Sequence, residues 1–589
     1  MREVSYELSL MDATGHLRRV EVLPSRTHDE AAPLIDESNQ GIRSIDDRTA
    51  NLVKPGQPSP EWMRQAWVHS FAPGAEATPS IRAADGEWLG TDLVIKVNGV
   101  RIAARGGNWG MDDSRKRVSI EHLEPYFRLH RDAHVNIIRN WMGQNTEENF
   151  YALADKYGLM VWNDFWESTQ NYNIEAQDPE LFLANAHDSI VHFRHHPSIV
   201  LWCGRNEGVP QPIINEGLAK LVRTLDHTRY YTGSSNRVNL RNSGPYQLQT
   251  LDTYYNINRG FSVELGIPSV PTLEGIKAFI PEPDRWPISD TWAYHDWHQL
   301  GNGNVKPFME TMEREFGAPT DLEDFERKAQ MIDYAAHRAI FEGFAAHLWQ
   351  PNSARMIWMT QAAWPSTEWN FLGSDYDTQS SFYGSQKACE PIHAQLNLVD
   401  SSVDLINLHE ARTFKVRVHV VGLDGETLSD ETNSVQASAN ARTPVSKPDL
   451  DKLAAGHAVF VQLQVSSAAG APISDNFYWW SKDDAALREL GNLPKATLST
   501  SAKAIASNGE REALVHIKNS GPAPALLVKL TLEDASTGDR ILPAYYSENY
   551  VSLLPGEERT VSIEFPGGAV NLAIGLRGWN LETSTVAVQ

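Results

Sequence analysis

Two short stretches carry the residues whose types and order could do chemistry. Ser198 to Pro210 reads S-I-V-L-W-C-G-R-N-E-G-V-P. Its apolar, strand-like run, Ile199 to Trp202, turns abruptly polar and glycine-rich, so Asn206 and Glu207 stand where a buried strand emerges. A carboxylate at the mouth of a buried parallel strand is costly to desolvate, and burial is expected to raise its pKa toward general-acid work. Gly260 to Gly266, G-F-S-V-E-L-G, repeats the pattern around Glu264. Glu207 and Glu264 are therefore read as a catalytic pair.

Such a pair needs strand ends that converge. From about residue 93, apolar runs alternate with amphipathic stretches, the pattern of a parallel βα architecture. Strands are expected at Ile102–Gly106, Val135–Trp141, Leu159–Phe165, Ile199–Gly204, Arg229–Gly233, Leu251–Tyr255, Phe261–Leu265 and Met356–Gln361. Thr146 is expected to cap a helix carrying Phe150, Leu153, Ala154 and Tyr157, with Gly158 as its stop. Asp178-Pro179 is expected to open the next, with Phe182, Ala186, Ile190 and Phe193 on one face. Eight strands at this spacing fit a (β/α)8 barrel, whose chemistry lies at the C-terminal strand ends. Glu207 then follows strand four and Glu264 lies at strand seven.

The flanks are all-β. Residues 1–46 read as strands, a partial or small immunoglobulin-like sandwich, with Tyr6, Leu8 and Leu10 alternating with polar residues. Residues 47–92 are Pro-, Gly- and Ser-rich and read as a loop or insertion. The barrel is assigned 93–397. Period-two runs such as Phe414, Val416, Val418 and Val420, and later Val528, Leu530 and Leu532, mark immunoglobulin-like sandwiches over 398–487 and 488–589. The fold class is thus multidomain α/β plus all-β, a central (β/α)8 TIM barrel flanked by immunoglobulin-like β-sandwich domains.

Composition narrows the partners. A formal charge of −23 argues against nucleic acid, which needs a net basic face. The sequence has no run of about 18 apolar residues, so no membrane-spanning role is expected. The N-terminus lacks an apolar signal core, which places the chain as it stands in the cytoplasm, or in the periplasm or outside if a leader and more have been removed. Cys203 and Cys389 cannot build a disulfide framework, and Cys203 reads as a buried core residue. His195-His196 and His295-Asp296-Trp297-His298 lack the positioned Glu of a zinc hydrolase, so neither a metal nor another cofactor is expected. His295 and Trp297 are instead candidates for walling a pocket. Many of the eighteen Trp residues sit beside Asn, Asp or Glu, pairing an aromatic platform with hydrogen-bonding groups as a sugar ring requires.

Five ordered motifs, R-G-G-N-W-G-M-D-D (105–113), I-I-R-N-W (137–141), G-L-M-V-W-N-D-F-W (158–166), H-P-S-I-V-L-W-C-G-R-N-E (196–207) and I-W-M-T-Q-A-A-W-P-S (357–366), resemble glycoside hydrolase family 2. The resemblance is greatest to its exo-β-glucosaminidase and β-mannosidase branch. It implies a retaining exo-β-glycosidase acting on a terminal β-D-glucosaminide or β-mannoside of an oligosaccharide or glycan, with Glu207 as acid/base and Glu264 as nucleophile. Glu274 and Glu282 compete with Glu264. It implies that Asn206 bonds the sugar's 2-substituent, that Arg139 orients and keeps ionised the nucleophile, and that Trp364 floors the sugar site. Tyr254 or Tyr255 would bond the nucleophile, with Tyr255 favoured, and Asp164, Trp166 and Trp141 are further substrate-binding candidates. The alternatives are a carbohydrate-binding or catalytically silent homologue, and a β-galactosidase or β-glucuronidase type of specificity. Members usually begin with a sugar-binding jelly roll that this chain does not show; G-I-R-S-I (41–45) resembles the last strand of the sandwich that follows it. A separate sugar-binding domain or a homo-oligomer is therefore an expected partner.

Overall fold

The computed structural model describes residues 4–12, 17–22, 88–110, 115–168, 176, 178–207, 210–236, 240, 243–298, 303–507, 510–567 and 571–589. The strand expected at 41–45 and nearly all of the loop expected over 47–92 lie outside them. The chain opens with β1 (Val4–Asp12), β2 (Leu17–Val22), β3 (Trp88–Val97) and β4 (Val100–Arg101), an antiparallel sheet ordered β2-β1-β3-β4. Leu93 and Ile95 of β3 are buried against Ala104, Ile137, Met160, Val200, Phe261 and Met356, so this sheet packs on the interior of the barrel. Each such buried aliphatic side chain is worth roughly 1.5–3 kcal/mol.

The barrel strands are β5 (Ala104–Trp109), β6 (Ile137–Asn140), β7 (Met160–Asp164), β8 (Ile199–Cys203), β9 (Tyr230–Thr232), β10 (Phe261–Ser262) and β11 (Ala354–Ile357). They form one parallel sheet ordered β10-β11-β5-β6-β7-β8-β9. The sixth place differs from expectation. Leu251–Tyr255 is a 3-10 turn, not a strand. The chain beside β10 is instead the Gly244-Pro245 segment, where Gly244 N–H donates to Glu264 O at 3.0 Å and Gly266 N–H to Pro245 O at 2.9 Å. A Gly-Pro pair reads as a turn in the sequence, which hides a segment held in the barrel by only a few backbone bonds.

The early helices follow local rules. In α1 (Ile120–Asp132), Ser119 Oγ accepts from His122 N–H. The next helix, α2 (Glu148–Tyr157), ends at Gly158 with φ 70°; its cap position is Glu147, with no side-chain bond, rather than Thr146. Asp178 caps α3 (Pro179–Phe193) by accepting from Leu181 N–H, and Pro179 sits at the first helical position. After α4 (Pro212–Leu221) the excursion between β10 and β11 holds α5 (Leu273–Phe279), α6 (Asp290–Tyr294), α7 (Lys306–Phe316) and α8 (Leu322–Ala345). Trp292, Trp297, Phe308 and Phe325 cluster within it, so Trp297 is core and does not wall a pocket.

Almost all of α8 is buried because both trailing modules close around the barrel. Glu342 accepts from Tyr478 O–H at 2.7 Å and Asn476 Nδ2 at 2.7 Å, and bonds His393 Nε2 at 2.8 Å. These tie α8 to a sandwich of β12 (Ile392–Leu396), β13 (Val403–Asn407), β14 (Arg412–Gly422), β15 (Thr427–Ala437), β16 (Ala441–Ser446), β17 (Val459–Ser467) and β18 (Pro472–Trp480). Its two sheets are ordered β12-β13-β16 and β15-β14-β17-β18. A second sandwich holds β19 (Leu498–Ser507), β20 (Glu510–Asn519), β21 (Ala525–Asp534), β22 (Tyr545–Tyr546), β23 (Val551–Leu553), β24 (Glu558–Phe565), β25 (Leu572–Arg577) and β26 (Ser584–Ala587). Its sheets are ordered β19-β20-β24-β22 and β23-β21-β25-β26. Between the barrel and this sandwich, Lys529 and Arg577 clamp Glu274. Although burial opposes it, those two cations hold Glu274 down at about 2. Glu274 is thus part of a domain contact, and Glu282 is exposed in a 3-10 turn; neither joins the carboxylate pair. Among the described residues, no helix is long and apolar enough to cross a membrane.

Candidate active site

Glu207 lies four residues beyond β8 and Glu264 two beyond β10. Tyr246 joins them. Its phenol O–H donates to Glu264 Oε2 at 2.6 Å, and its oxygen lies 3.3 Å from Glu207 Oε1. The two carboxylate oxygens are therefore no farther apart than those distances laid end to end. That upper limit admits the ~5–5.5 Å of a pair in which one carboxyl attacks and the other protonates.

Arg139, fully buried at the end of β6, organises the floor. Its Nη1 donates to Glu264 Oε1 and, at 3.1 Å, to Asn108 Oδ1; its Nη2 donates to Asn206 Oδ1 at 2.8 Å. On its other edge Nη2 reaches Asp164 Oδ2 at 2.6 Å and Nε lies 3.0 Å from the same oxygen. Asp164 also accepts from Trp162 Nε1 at 2.7 Å and Met142 N–H at 3.0 Å. With its oxygens engaged this way and its side chain buried, Asp164 holds Arg139 rather than facing a ligand, a correction to its expected substrate-binding place. Asn108 braces the same floor, its Nδ2 donating to Val263 O and Ile357 O at 2.9 Å each.

Burial lowers the Arg139 pKa, but the charges of Asp164 and then Glu264 outweigh it, and the guanidinium is held more firmly protonated than usual. At Glu264 burial is again the largest effect, and with the charge of Glu207 it raises the pKa above the ordinary carboxylate value, against the pull of Arg139 and Tyr246. Arg139 acts in the expected direction and is outweighed. The heavier desolvation falls on Glu264, 3% exposed, rather than on the half-buried Glu207. Burial and the two nearby carboxylates push the Tyr246 phenol far up, so it stays a donor.

Glu207 has φ 41°, in the left-handed region that a non-glycine residue enters at a cost of about 1–3 kcal/mol. Its N–H donates to Ser235 Oγ at 2.9 Å, and the preceding Asn206 N–H donates to Glu167 O at 2.9 Å. The loop after β8 is thus pinned from β9 and β7, which turns the Glu207 side chain toward Tyr246.

The aromatic surround differs from expectation at two residues. Tyr255 is buried away from the pair, its O–H donating to Leu396 O at 3.0 Å beside Glu342. Alternation assumed a strand; in a 3-10 turn both Tyr254 and Tyr255 point into the core. Trp364, beyond β11, stacks on His295 of the excursion between β10 and β11, centroids 5.2 Å apart. Trp358 stands directly after β11: its backbone N–H donates to Leu265 O at 2.7 Å, next to Glu264, and its ring packs edge-on to Trp141 at 4.8 Å. Trp369 Nε1 lies 3.4 Å from Tyr246 O. Trp166 packs on Phe165 and Phe182 and lies so close to Gly143 that a Cβ there would meet its ring at 3.1 Å. Tyr246, Trp358, Trp369 and Asn108 were not among the expected site residues; of these, Asn108 and Trp358 had a usable signal, their place at the C-terminal ends of barrel strands.

Beside Trp369, Glu368 is 2% exposed and neither carboxyl oxygen finds a hydrogen-bond partner among the described residues. Burial, with Asp296 adding to it, pushes its pKa up from the ordinary 4.5 to about 10. A raised carboxyl favours folding most below its unfolded pKa, and that contribution is lost as pH rises toward the folded value. Stability is therefore expected to fall between about pH 5 and pH 9, and Glu368→Gln to flatten the fall. Urea midpoints at the two pH values check this; equal slopes in both proteins would contradict it.

The family model described as "Glycosyl hydrolases family 2, TIM barrel domain" matches residues 91–263. "Mannosidase Ig/CBM-like domain" matches 407–482, and "Exo-beta-D-glucosaminidase Ig-fold domain" matches 476–581. A mannosylglycoprotein endo-beta-mannosidase of Lilium longiflorum is 28% identical over 83% of this chain and 64% of its own length. An exo-beta-D-glucosaminidase of Streptomyces avermitilis is 26% identical over 83% of this chain and 60% of its own. The chain thus spans less than two thirds of either relative. The crystal structure of Amycolatopsis orientalis exo-chitosanase CsxA superposes with a TM-score of 0.77 at 23% identity, covering 84% of this chain and 65% of that one. A beta-D-mannosidase from Dictyoglomus thermophilum gives 0.70 at 23% identity, covering 84% and 62%. At these identities the structures speak for the fold. Barrel, sandwiches and ordered motifs agree: the chain carries the TIM-barrel domain of family 2 glycosyl hydrolases, followed by the two Ig-type domains, and is similar to proteins named exo-beta-D-glucosaminidase and beta-mannosidase.

Proposed function

We propose that this chain is a retaining β-glycosidase that works by double displacement on a terminal β-mannoside or β-D-glucosaminide. The single observation that carries the reading is the Tyr246 phenol lying within hydrogen-bond reach of both Glu207 and Glu264. In the first step Glu264 Oε attacks the anomeric carbon as the bond to the leaving oxygen breaks, and Glu207 gives that oxygen its proton. In the second, Glu207 takes a proton from water as the water oxygen displaces Glu264, and the sugar leaves with its original β configuration.

Asn206 favours the mannoside of the two. Its Oδ1 already accepts from Arg139, so what its side chain offers at C2 is an amide N–H, a donor. A 2-hydroxyl accepts such a bond; a 2-ammonium carries donors alone. The β-D-glucosaminide reading is kept because several relatives are named exo-beta-D-glucosaminidase. A panel of nitrophenyl β-glycosides ranks the sugars, and NMR of the first-formed anomer tests retention. Glycan binding without turnover, or an α-anomer as the first product, would overturn the proposal.

Tyr246 and Tyr255 make a paired test. A hydrogen bond to a charged group is worth roughly 1.5–3 kcal/mol, so Tyr246→Phe is expected to lower kcat about 10- to 100-fold with the fold kept. Tyr255→Phe is expected to lower the urea midpoint and leave kcat nearly unchanged. The reverse pattern would return the role to Tyr255.

A further inference from the structure

On the outside of the barrel, between α2 and the end of α3, Glu148, His195 and His196 bring one ligand atom each within 4.8 Å of one another. We propose that these three residues form a binding site for a first-row transition-metal dication of the zinc type, separate from the carboxylate pair. Glu148 Oε1 lies 2.8 Å from His196 Nε2 and 3.4 Å from His195 Nε2. Tetrahedral coordination with bonds of about 2.0–2.1 Å puts neighbouring ligand atoms roughly 3.3 Å apart, so small side-chain adjustments admit the ion.

The ring orientations point the same way. His195 Nδ1 lies 2.8 Å from His192 O. A carbonyl only accepts, so Nδ1 carries a proton and Nε2 is the ring nitrogen turned toward Glu148. His196 Nδ1 lies 2.7 Å from Asp155 Oδ2, and Asp155 Oδ1 accepts from Ser198 N–H at 2.9 Å. A carboxylate behind an imidazole fixes its orientation and raises its basicity as a metal ligand. His192 Nε2 lies 3.2 Å from the other carboxylate oxygen, Glu148 Oε2, outside the group of three, so a water would complete the tetrahedron. Binding displaces the Nε2 proton of His196 if it is present, and leaves no oxidation state changed.

His195 and Glu148 are exposed, so substitutions there leave the core intact. The full chain, freed of metal with a chelator, is titrated with zinc by calorimetry and with cobalt by its visible spectrum. The expected result is one ion per chain and tetrahedral cobalt bands, with affinity weakened at least about tenfold in His195→Ala and in Glu148→Gln. Asp155→Asn should weaken it by about 10- to 100-fold through the second-sphere bond. His187→Ala, at an exposed histidine of α3, should bind as the parent does. Absence of saturable binding, or affinity unchanged in both His195→Ala and Glu148→Gln, overturns the site.

Discussion

Glu264→Gln is expected to lower kcat/KM on a nitrophenyl β-glycoside by on the order of 10⁵-fold, since loss of a nucleophile that acts as a unit with its acid/base partner removes nearly the whole enzymatic advantage. The amide cannot form the glycosyl ester. The fold should survive, because Arg139 keeps its other partner, Asp164, and no buried charge is left alone. Glu264→Ala goes further by opening space behind the anomeric carbon. With azide and a good leaving group, that variant should produce the α-glycosyl azide, because the small anion attacks from the face that Glu264 left. The unsubstituted protein carries a pH signature of the same group. Glu264 must be ionised to attack, and burial and Glu207 raise its pKa, so the acid limb of kcat/KM should lie above the ordinary carboxylate range. Near-normal turnover by Glu264→Gln would remove Glu264 from the mechanism.

How much of this was legible in the sequence follows from how local each signal is. Strand β8 and the polar Asn206-Glu207 step after it were readable because burial on both faces demands an unbroken apolar run, which the chain must end before it can present a carboxylate. The Asp178-Pro179 start of α3 was readable because capping is decided within four residues. The period-two runs in β14 (Arg412–Gly422) and β17 (Val459–Ser467) pair with each other directly, Val418 opposite Leu463. Each of these features depends on neighbours in the chain.

What was missed depends on partners far apart. Leu251–Tyr255 has the aromatic content of a strand, yet Tyr255 hydrogen-bonds Glu342 and Leu396, 87 and 141 positions away, contacts no local pattern announces. Tyr246 stands next to Gly244-Pro245, whose composition argues for a turn, and it reaches the pair because that turn is held against β10. The role of Asp164 follows from Arg139, 25 positions earlier, and from the backbone of Met142. Trp364 and Trp358 sit in one motif only six residues apart, and the path of the chain beyond β11, not residue type, decides which of them meets Leu265.

Glu207→Gln supplies the complementary test, because an acid/base group and a nucleophile fail in different ways. Proton transfer by a positioned side chain is worth about 10²–10⁴-fold, and the loss should appear in full on substrates whose leaving group needs a proton. On a dinitrophenyl glycoside, whose leaving group departs as a stable anion, the first step should stay fast while the second slows. The result is a burst of phenolate followed by accumulation of the glycosyl ester on Glu264, visible as a mass increase of the intact chain. Azide should then speed turnover and give the β-glycosyl azide, the opposite anomer to that expected from Glu264→Ala. The pH profile adds a check that a merely structural glutamate would not meet. Glu207 raises the pKa of Glu264 through its charge, so Gln at position 207 should move the acid limb to lower pH while removing the limb that requires a protonated acid. Equal losses on good and poor leaving groups, with an unmoved acid limb, would mean that Glu207 only holds its loop against Ser235 and that the proton comes from another residue.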